Sequence, residues 1–119
     1  MKLPGPDHPI SIVHNDKRVR VSFAGKVIAD STRALALQEA NYPPVNYIPR
    51  ADVDMAALTR TDHASHCPYK GDASYFTIAV NGRNAENAVW SYERPFPAMA
   101  EIKEHLAFYP NRVDKIEED

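Results

Sequence analysis

Cysteine is almost absent from this chain: one of its 119 residues is a cysteine, so no disulfide can form within it. A single thiol fits a reducing compartment, and we expect a cytoplasmic protein. No apolar run approaches the roughly 18 residues of a membrane-spanning helix, and the first residues lack the apolar segment of a signal peptide. Basic residues are not in excess, since the formal net charge is −2. We therefore expect neither a membrane nor a nucleic acid polymer as a partner.

Glycine is also scarce, with four residues, whereas proline is abundant, with ten. Proline has no amide N–H and stays out of helix interiors and central strands, so it divides the chain into short elements. This composition argues against a helical bundle. The length and the balance of 44% apolar and 25% charged residues predict one globular domain over residues 1–119. Residues 1–9 are expected to form an extended arm and residues 115–119 an acidic tail.

Alternating polar and apolar residues predict a set of short antiparallel strands. Residues 18–31 form the clearest hairpin, with Ala24 and Gly25 at its turn. A second hairpin is predicted around Asn81 and Gly82, a dipeptide that favours tight turns. Further strands are expected at residues 10–14, 45–48 and 108–113. Residues 32–39 combine the alternation of a strand with helix-favouring residues, and the neighbouring hairpin favours the strand. Residues 50–59 fit either one helical turn or a strand, and the pattern does not decide between them.

One helix is predicted, over residues 97–106. Met99, Ile102 and Leu106 would share its apolar side, and Pro97 suits a first helical turn. Many strands, frequent turns and a single short C-terminal helix indicate a mainly β domain of the α+β class.

Reactive side chains are concentrated in residues 63–75, around the only cysteine. A cation near Cys67 would favour its thiolate, and Lys70 can approach it if residues 67–70 form a tight turn. His66 is expected to face away, because adjacent residues of an extended segment point to opposite sides. We predict Cys67 as a nucleophile and Lys70 as its electrostatic partner. The alternative is that Cys67 is a packed, unreactive side chain.

Metal binding is the second chemistry to consider for this segment. His63, His66 and Cys67 offer three potential ligands within five residues. Structural zinc sites use two spaced pairs of ligands, and no second pair of Cys or His exists here. We therefore predict no metal and no other cofactor, although a three-ligand site remains an alternative.

Aromatic residues flank the same segment. The start of the strand at 74–80 should lie opposite the end of its hairpin partner, which brings Lys70 near that end. Apolar walls with a few polar groups are typical of small-molecule sites. The predicted ligand-binding residues are Tyr69, Tyr75, Trp90 and Tyr92.

Several segments resemble the family catalogued as domain of unknown function 427. They are Cys-Pro-Tyr-Lys-Gly-x-Ala-Ser-Tyr at 67–75, Asn-Ala-Val-Trp-Ser-Tyr-Glu at 87–93, Pro-x-Pro at 95–97, Ala-Phe-Tyr-Pro at 107–110 and Tyr-Pro-Pro-Val-x-Tyr at 42–47. The resemblance implies a compact, mostly β domain with a folded-over, tent-like sheet, similar to that of B-type methionine sulfoxide reductases. The paired Cys-x-x-Cys motifs of zinc-binding members of that broader fold are missing here. The family is labelled nucleotidyltransferase-like.

Two functions follow as hypotheses. In the first, the chain is a small enzyme or enzyme-like domain that acts on or binds a nucleotide-like or other anionic small molecule at the Cys-Pro-Tyr-Lys-Gly turn. In the second, it is a non-catalytic module that binds a ligand or a protein, and its cysteine is structural. A rigid turn that only organises the hairpin, with Gly71 at a position closed to other residues, is a third interpretation.

Overall fold

The computed structural model describes every residue from Met1 to Asp119 and consists mainly of antiparallel strands. There are ten strands: β1 (Ile10–His14), β2 (Val19–Phe23), β3 (Lys26–Ser31), β4 (Leu35–Glu39), β5 (Val45–Tyr47), β6 (Leu58–Cys67), β7 (Gly71–Val80), β8 (Arg83–Ser91), β9 (Leu106–Phe108) and β10 (Lys115–Glu118). They form three sheets in the orders β1-β4-β5, β10-β2-β3 and β6-β7-β8-β9. The tent-like folding implied by the family resemblance stays a prediction.

Both predicted hairpins are confirmed. β2 pairs with β3 across Ala24 and Gly25, and β7 pairs with β8 across Asn81 and Gly82. All four turn residues have a positive φ, which is the backbone geometry of the tight turns that suit the twist of a hairpin. The alternation in β2 buries every second side chain, as the sequence pattern predicts.

The segment that the pattern left undecided contains both a helical and an extended part. Two short 3-10 turns, Arg50–Asp52 and Met55–Ala57, precede β6. The second turn begins where the side chain of Asp54 accepts a hydrogen bond from the backbone N–H of Ala56. Residues 58–67 then form the ten-residue edge strand of the third sheet.

The predicted C-terminal α-helix is wrong. Residues Pro97–Ile102 form only 3-10 turns, interrupted at Met99, whose φ and ψ are −112° and 20°. The backbone reverses at Glu104, with φ of +61°, and Leu106 already belongs to β9. There its backbone exchanges two 2.8 Å hydrogen bonds with Ile48. Met99 and Ile102 are nevertheless both buried, as their apolar side chains favour.

The two termini are also more ordered than a free arm and a solvated tail. The acidic residues near the C-terminus form β10, which pairs with β2, so the expected acidic tail is a strand. At the N-terminus, Lys2 donates its backbone N–H to the carbonyl of Pro68 at 2.7 Å. The expected last strand at 108–113 is instead the end of β9 followed by a 3-10 turn at Pro110–Arg112.

The buried side chains form two clusters. The larger lies around β2, β3, β7 and β8, and the smaller contains Leu37, Tyr47, Tyr75, Tyr92 and Met99 among its members. The smaller cluster is rich in tyrosine and positions the candidate site. None of the helical segments has the length and apolar character needed to cross a lipid bilayer.

Candidate ligand-binding site

A cavity of about 280 Å³ opens beside the Cys-Pro-Tyr-Lys-Gly turn. Its walls come from β4, the β4–β5 connection, β5, the turn itself, β7, β8 and the residue that follows β9. The lining residues are Leu37, Glu39, Tyr42, Pro43, Val45, Tyr47, Lys70, Tyr75, Trp90, Tyr92 and Tyr109. Four of the residues predicted from sequence, namely Lys70, Tyr75, Trp90 and Tyr92, are therefore brought together.

Strand register explains how three of these residues meet. Tyr75 of β7 lies directly opposite Trp90 of β8, so both side chains project from the same face of the sheet. Tyr92 follows Trp90 by two positions and is buried in the same cluster. Tyr47 reaches this face from β5, and the indole N–H of Trp90 donates to its hydroxyl at 3.2 Å.

Lys70 contributes a positively charged side chain to the cavity lining, and this side chain is only 8% exposed. Its ammonium group donates to one carboxylate oxygen of Glu39, and His8 donates from Nε2 to the other at 2.8 Å. Burial would raise the pKa of Glu39, but the hydrogen bonds from Lys70 and His8 outweigh it and hold that pKa below its usual value. Glu39 is consequently ionised at neutral pH and offsets the charge of Lys70.

Three phenols of the cavity, those of Tyr47, Tyr92 and Tyr109, are held neutral at physiological pH. Burial raises the pKa of both Tyr47 and Tyr92 well above the usual value for a phenol. Burial together with the neighbouring hydroxyl of Tyr75 raises the pKa of Tyr109 to about 12. Tyr75 is held in turn by Ser65, whose hydroxyl lies 2.8 Å away. Such hydroxyls can each donate or accept a hydrogen bond at the edge of an otherwise apolar wall.

Cys67 lies beside the cavity but does not line it. Its side chain is partly exposed and packs against the tyrosine-rich cluster. The ammonium group of Lys70, which the sequence pattern assigned to the thiol, has Glu39 as its hydrogen-bond partner. The assignment of Cys67 as a nucleophile stays a prediction.

Tyr69 does not line the cavity either. Its ring stacks on that of His8, with ring centres 4.0 Å apart and planes 5° from parallel.

The two histidines of β6 have different partners: the ring of His63 contacts that of Tyr75 edge to face, whereas His66 bonds to Asp72 at 2.7 Å. No group of three or more His, Cys, Asp or Glu side chains is placed to hold a metal ion.

Sequence reasoning missed several residues of the site. No feature of the sequence identified Glu39 or His8 as site residues, because each lies far from the motif in sequence and only the fold brings them to Lys70. Tyr42 and Tyr47 did carry a signal, since they begin and end the Tyr-Pro-Pro-Val-x-Tyr segment. That segment supplies the outer rim and the inner wall of the cavity.

The fold and the cavity together define a small antiparallel β protein with an aromatic pocket and one buried ion pair. The chain belongs to the family described as domain of unknown function (DUF427), whose model matches residues 11–119. The match covers the whole cavity and leaves out only the first ten residues, which include His8. No curated protein matches the chain.

Proposed function

We propose that the domain binds a small, planar, electrically neutral organic molecule in the aromatic cavity, with a nucleobase as the model ligand. The observation that carries the proposal is the environment of Lys70. Its nearly buried ammonium has three N–H donors, and Glu39 is its single protein acceptor within hydrogen-bond distance. Since Lys70 lines the cavity, a ligand carbonyl or ring nitrogen can accept a remaining donor.

The charge balance favours a neutral ligand over the anionic one expected from the sequence. Lys70 and Glu39 are the two charged residues among the lining side chains, and they carry opposite charges. A phosphate that approached Lys70 would also approach the carboxylate of Glu39, and the repulsion would cancel much of the attraction.

The size of the cavity favours a ligand smaller than a whole nucleotide. Its volume of about 280 Å³ lies just below the range of roughly 300 to 1,000 Å³ that is typical of drug-sized ligands. A single heterocycle fits this volume and can stack on Trp90 or Tyr92, since aromatic faces prefer offset or edge contacts with other rings.

A direct test uses Trp90, the single tryptophan of the chain. Titration with adenine, uracil and uridine monophosphate should quench or shift its fluorescence, and should do so at lower concentration for the bases than for the nucleotide. Bound ligand should also raise the thermal midpoint, because it stabilises only the folded state. Unchanged fluorescence and an unchanged midpoint with all three compounds at about millimolar concentration would contradict the proposal.

Two variants localise the site. Tyr42 is 62% exposed at the cavity rim, so Tyr42→Ala should weaken base binding without unfolding the domain. Lys70→Met removes the ammonium donor and should weaken base binding. The matched control Lys103→Met changes an exposed lysine outside the cavity and should leave base binding unchanged. Equal affinities for Lys70→Met and Lys103→Met would remove Lys70 from the site.

The second candidate function is an enzyme with Cys67 as its nucleophile. It is supported by one observation, that a partly exposed thiol packs against the aromatic cluster of the cavity. This function predicts that iodoacetamide modifies Cys67 in the folded protein and that a bound nucleobase slows the modification.

The proposed location is the cytoplasm, because a free thiol persists in a reducing compartment.

A further inference from the structure

The N-terminal arm, residues 1–9, lies across the motif turn and is attached near each of its ends by a backbone hydrogen bond. Lys2 donates its backbone N–H to Pro68, and the carbonyl of Pro9 accepts from Ala40 at 2.8 Å. Between these points, Gly5 and His8 exchange two backbone hydrogen bonds, which shape a tight loop. The arm is therefore held on both sides of His8.

His8 makes the two side-chain contacts of this arrangement. Its ring covers Tyr69, and its Nε2–H donates to the oxygen of Glu39 that Lys70 does not use. The side chains of His8 and Glu39 are 24% and 15% exposed, so the bond is largely shielded from water. A hydrogen bond between a carboxylate and a shielded donor restricts how the carboxylate can turn.

We propose that the arm is part of the binding site and that His8 is a positioning residue, which orients Glu39 and through it the Lys70 ammonium in the cavity. This inference takes its ligand from the proposed function. The contacts on which it is based are those of the arm and do not depend on the ligand. The inference gives Tyr69 a role other than ligand contact, because its ring supports the imidazole of His8.

Two substitutions separate the functions of the imidazole. His8→Gln keeps an N–H donor for Glu39 and removes the ring that stacks on Tyr69, whereas His8→Phe keeps the ring and removes the donor. In the absence of any ligand, the pKa of Glu39 followed by carbonyl NMR should rise in His8→Phe and stay close to the wild-type value in His8→Gln. An equal Glu39 pKa in all three proteins overturns the positioning role.

The binding test uses uracil. Uracil should bind His8→Phe at least about threefold more weakly than wild type, and His8→Gln should restore the affinity. Equal uracil affinities of wild type and His8→Phe overturn the inference that the arm is part of the binding site. If uracil does not bind wild type, the nucleobase proposal fails, while the Glu39 titration still decides the role of His8.

Discussion

Removing the Lys70 ammonium is the sharpest test of how the cavity floor is stabilised. Lys70→Met keeps most of the side-chain volume and leaves Glu39 with His8 as its remaining side-chain partner. Loss of one member of a buried ion pair typically costs about 3–5 kcal/mol, because the other charge is left desolvated. Glu39 is 15% exposed and retains His8, so we expect a loss of stability at or below the lower limit of that range, about 2–3 kcal/mol.

Urea denaturation of wild type, Lys70→Met and the double variant Lys70→Met/Glu39→Gln measures this effect. The double variant should recover most of the lost stability, since replacing both charges of a buried pair is often close to neutral. The slope of the transition should stay constant, so that the midpoint alone reports stability. A Lys70→Met loss below about 0.5 kcal/mol would refute the reasoning, because the pair would then behave like an exposed one.

The pH dependence of the same variants provides an independent check. In the folded wild type the pKa of Glu39 lies below its usual value of 4.5, so the pair stabilises the fold above that pH. This stability should be lost as the pH falls through the folded pKa. Lys70→Met removes one source of the lowering, so its difference in stability from wild type should be largest near neutral pH and smallest once the pH has fallen below the folded-state pKa of Glu39. A difference that is independent of pH would show that the lysine acts through packing instead of charge.

Three further predictions concern the turn and the cavity wall. Gly71→Ala should cost at least about 1–2 kcal/mol by urea denaturation, because Gly71 has φ of +112° and an added methyl group would lie 3.4 Å from the carbonyl of Arg94; unchanged stability would contradict this geometry. Tyr47→Phe leaves the indole N–H of Trp90 without its acceptor and should cost about 1 kcal/mol, and a neutral substitution would mean that water replaces the hydroxyl. Iodoacetamide should modify Cys67 in the folded protein, since its side chain is partly exposed; a thiol that reacts only after unfolding would eliminate the nucleophile hypothesis.

The fold was predictable where short-range chemistry determines it. The Asn81–Gly82 turn and the alternation in β2 depend on neighbouring residues, and both hairpins follow from them. The incorrect helix prediction at residues 97–106 has the opposite origin, because contacts between residues distant in sequence determine the structure there. Helix-favouring residues are present there, but Leu106 gains backbone bonds to Ile48 and a place beside β8, and these long-range contacts outweigh local preference.

The site was predictable only in part from hairpin register. The register next to the Asn81–Gly82 turn would place Ala88 opposite Tyr75, but an irregularity between Phe76 and Ile78 shifts the pairing of β7 with β8 by two residues and brings Trp90 there. A shift of two residues keeps each side chain on the same face of the sheet, so the side on which Tyr75 and Trp90 lie was predictable although their exact pairing was not. Glu39 could not be found in this way, since it comes from a different sheet and lies 31 residues from Lys70 in the chain. The partner of a buried lysine is determined by tertiary packing, and no local pattern encodes it.

The Cys-Pro-Tyr-Lys-Gly motif is best understood as a junction between three parts of the molecule. Successive residues of a tight turn point in different directions, so Lys70 faces the cavity while Tyr69 faces the arm. Gly71 permits the backbone to pass close to residues 94–96, where the amide of Phe96 bonds to the carbonyl of Lys70 at 3.0 Å. A motif dense in reactive side chains need not be one reaction centre. Substitutions within it should therefore differ in their effects: those at Lys70 should change both binding and stability, those at Tyr69 should affect the arm, and those at Gly71 should affect stability alone.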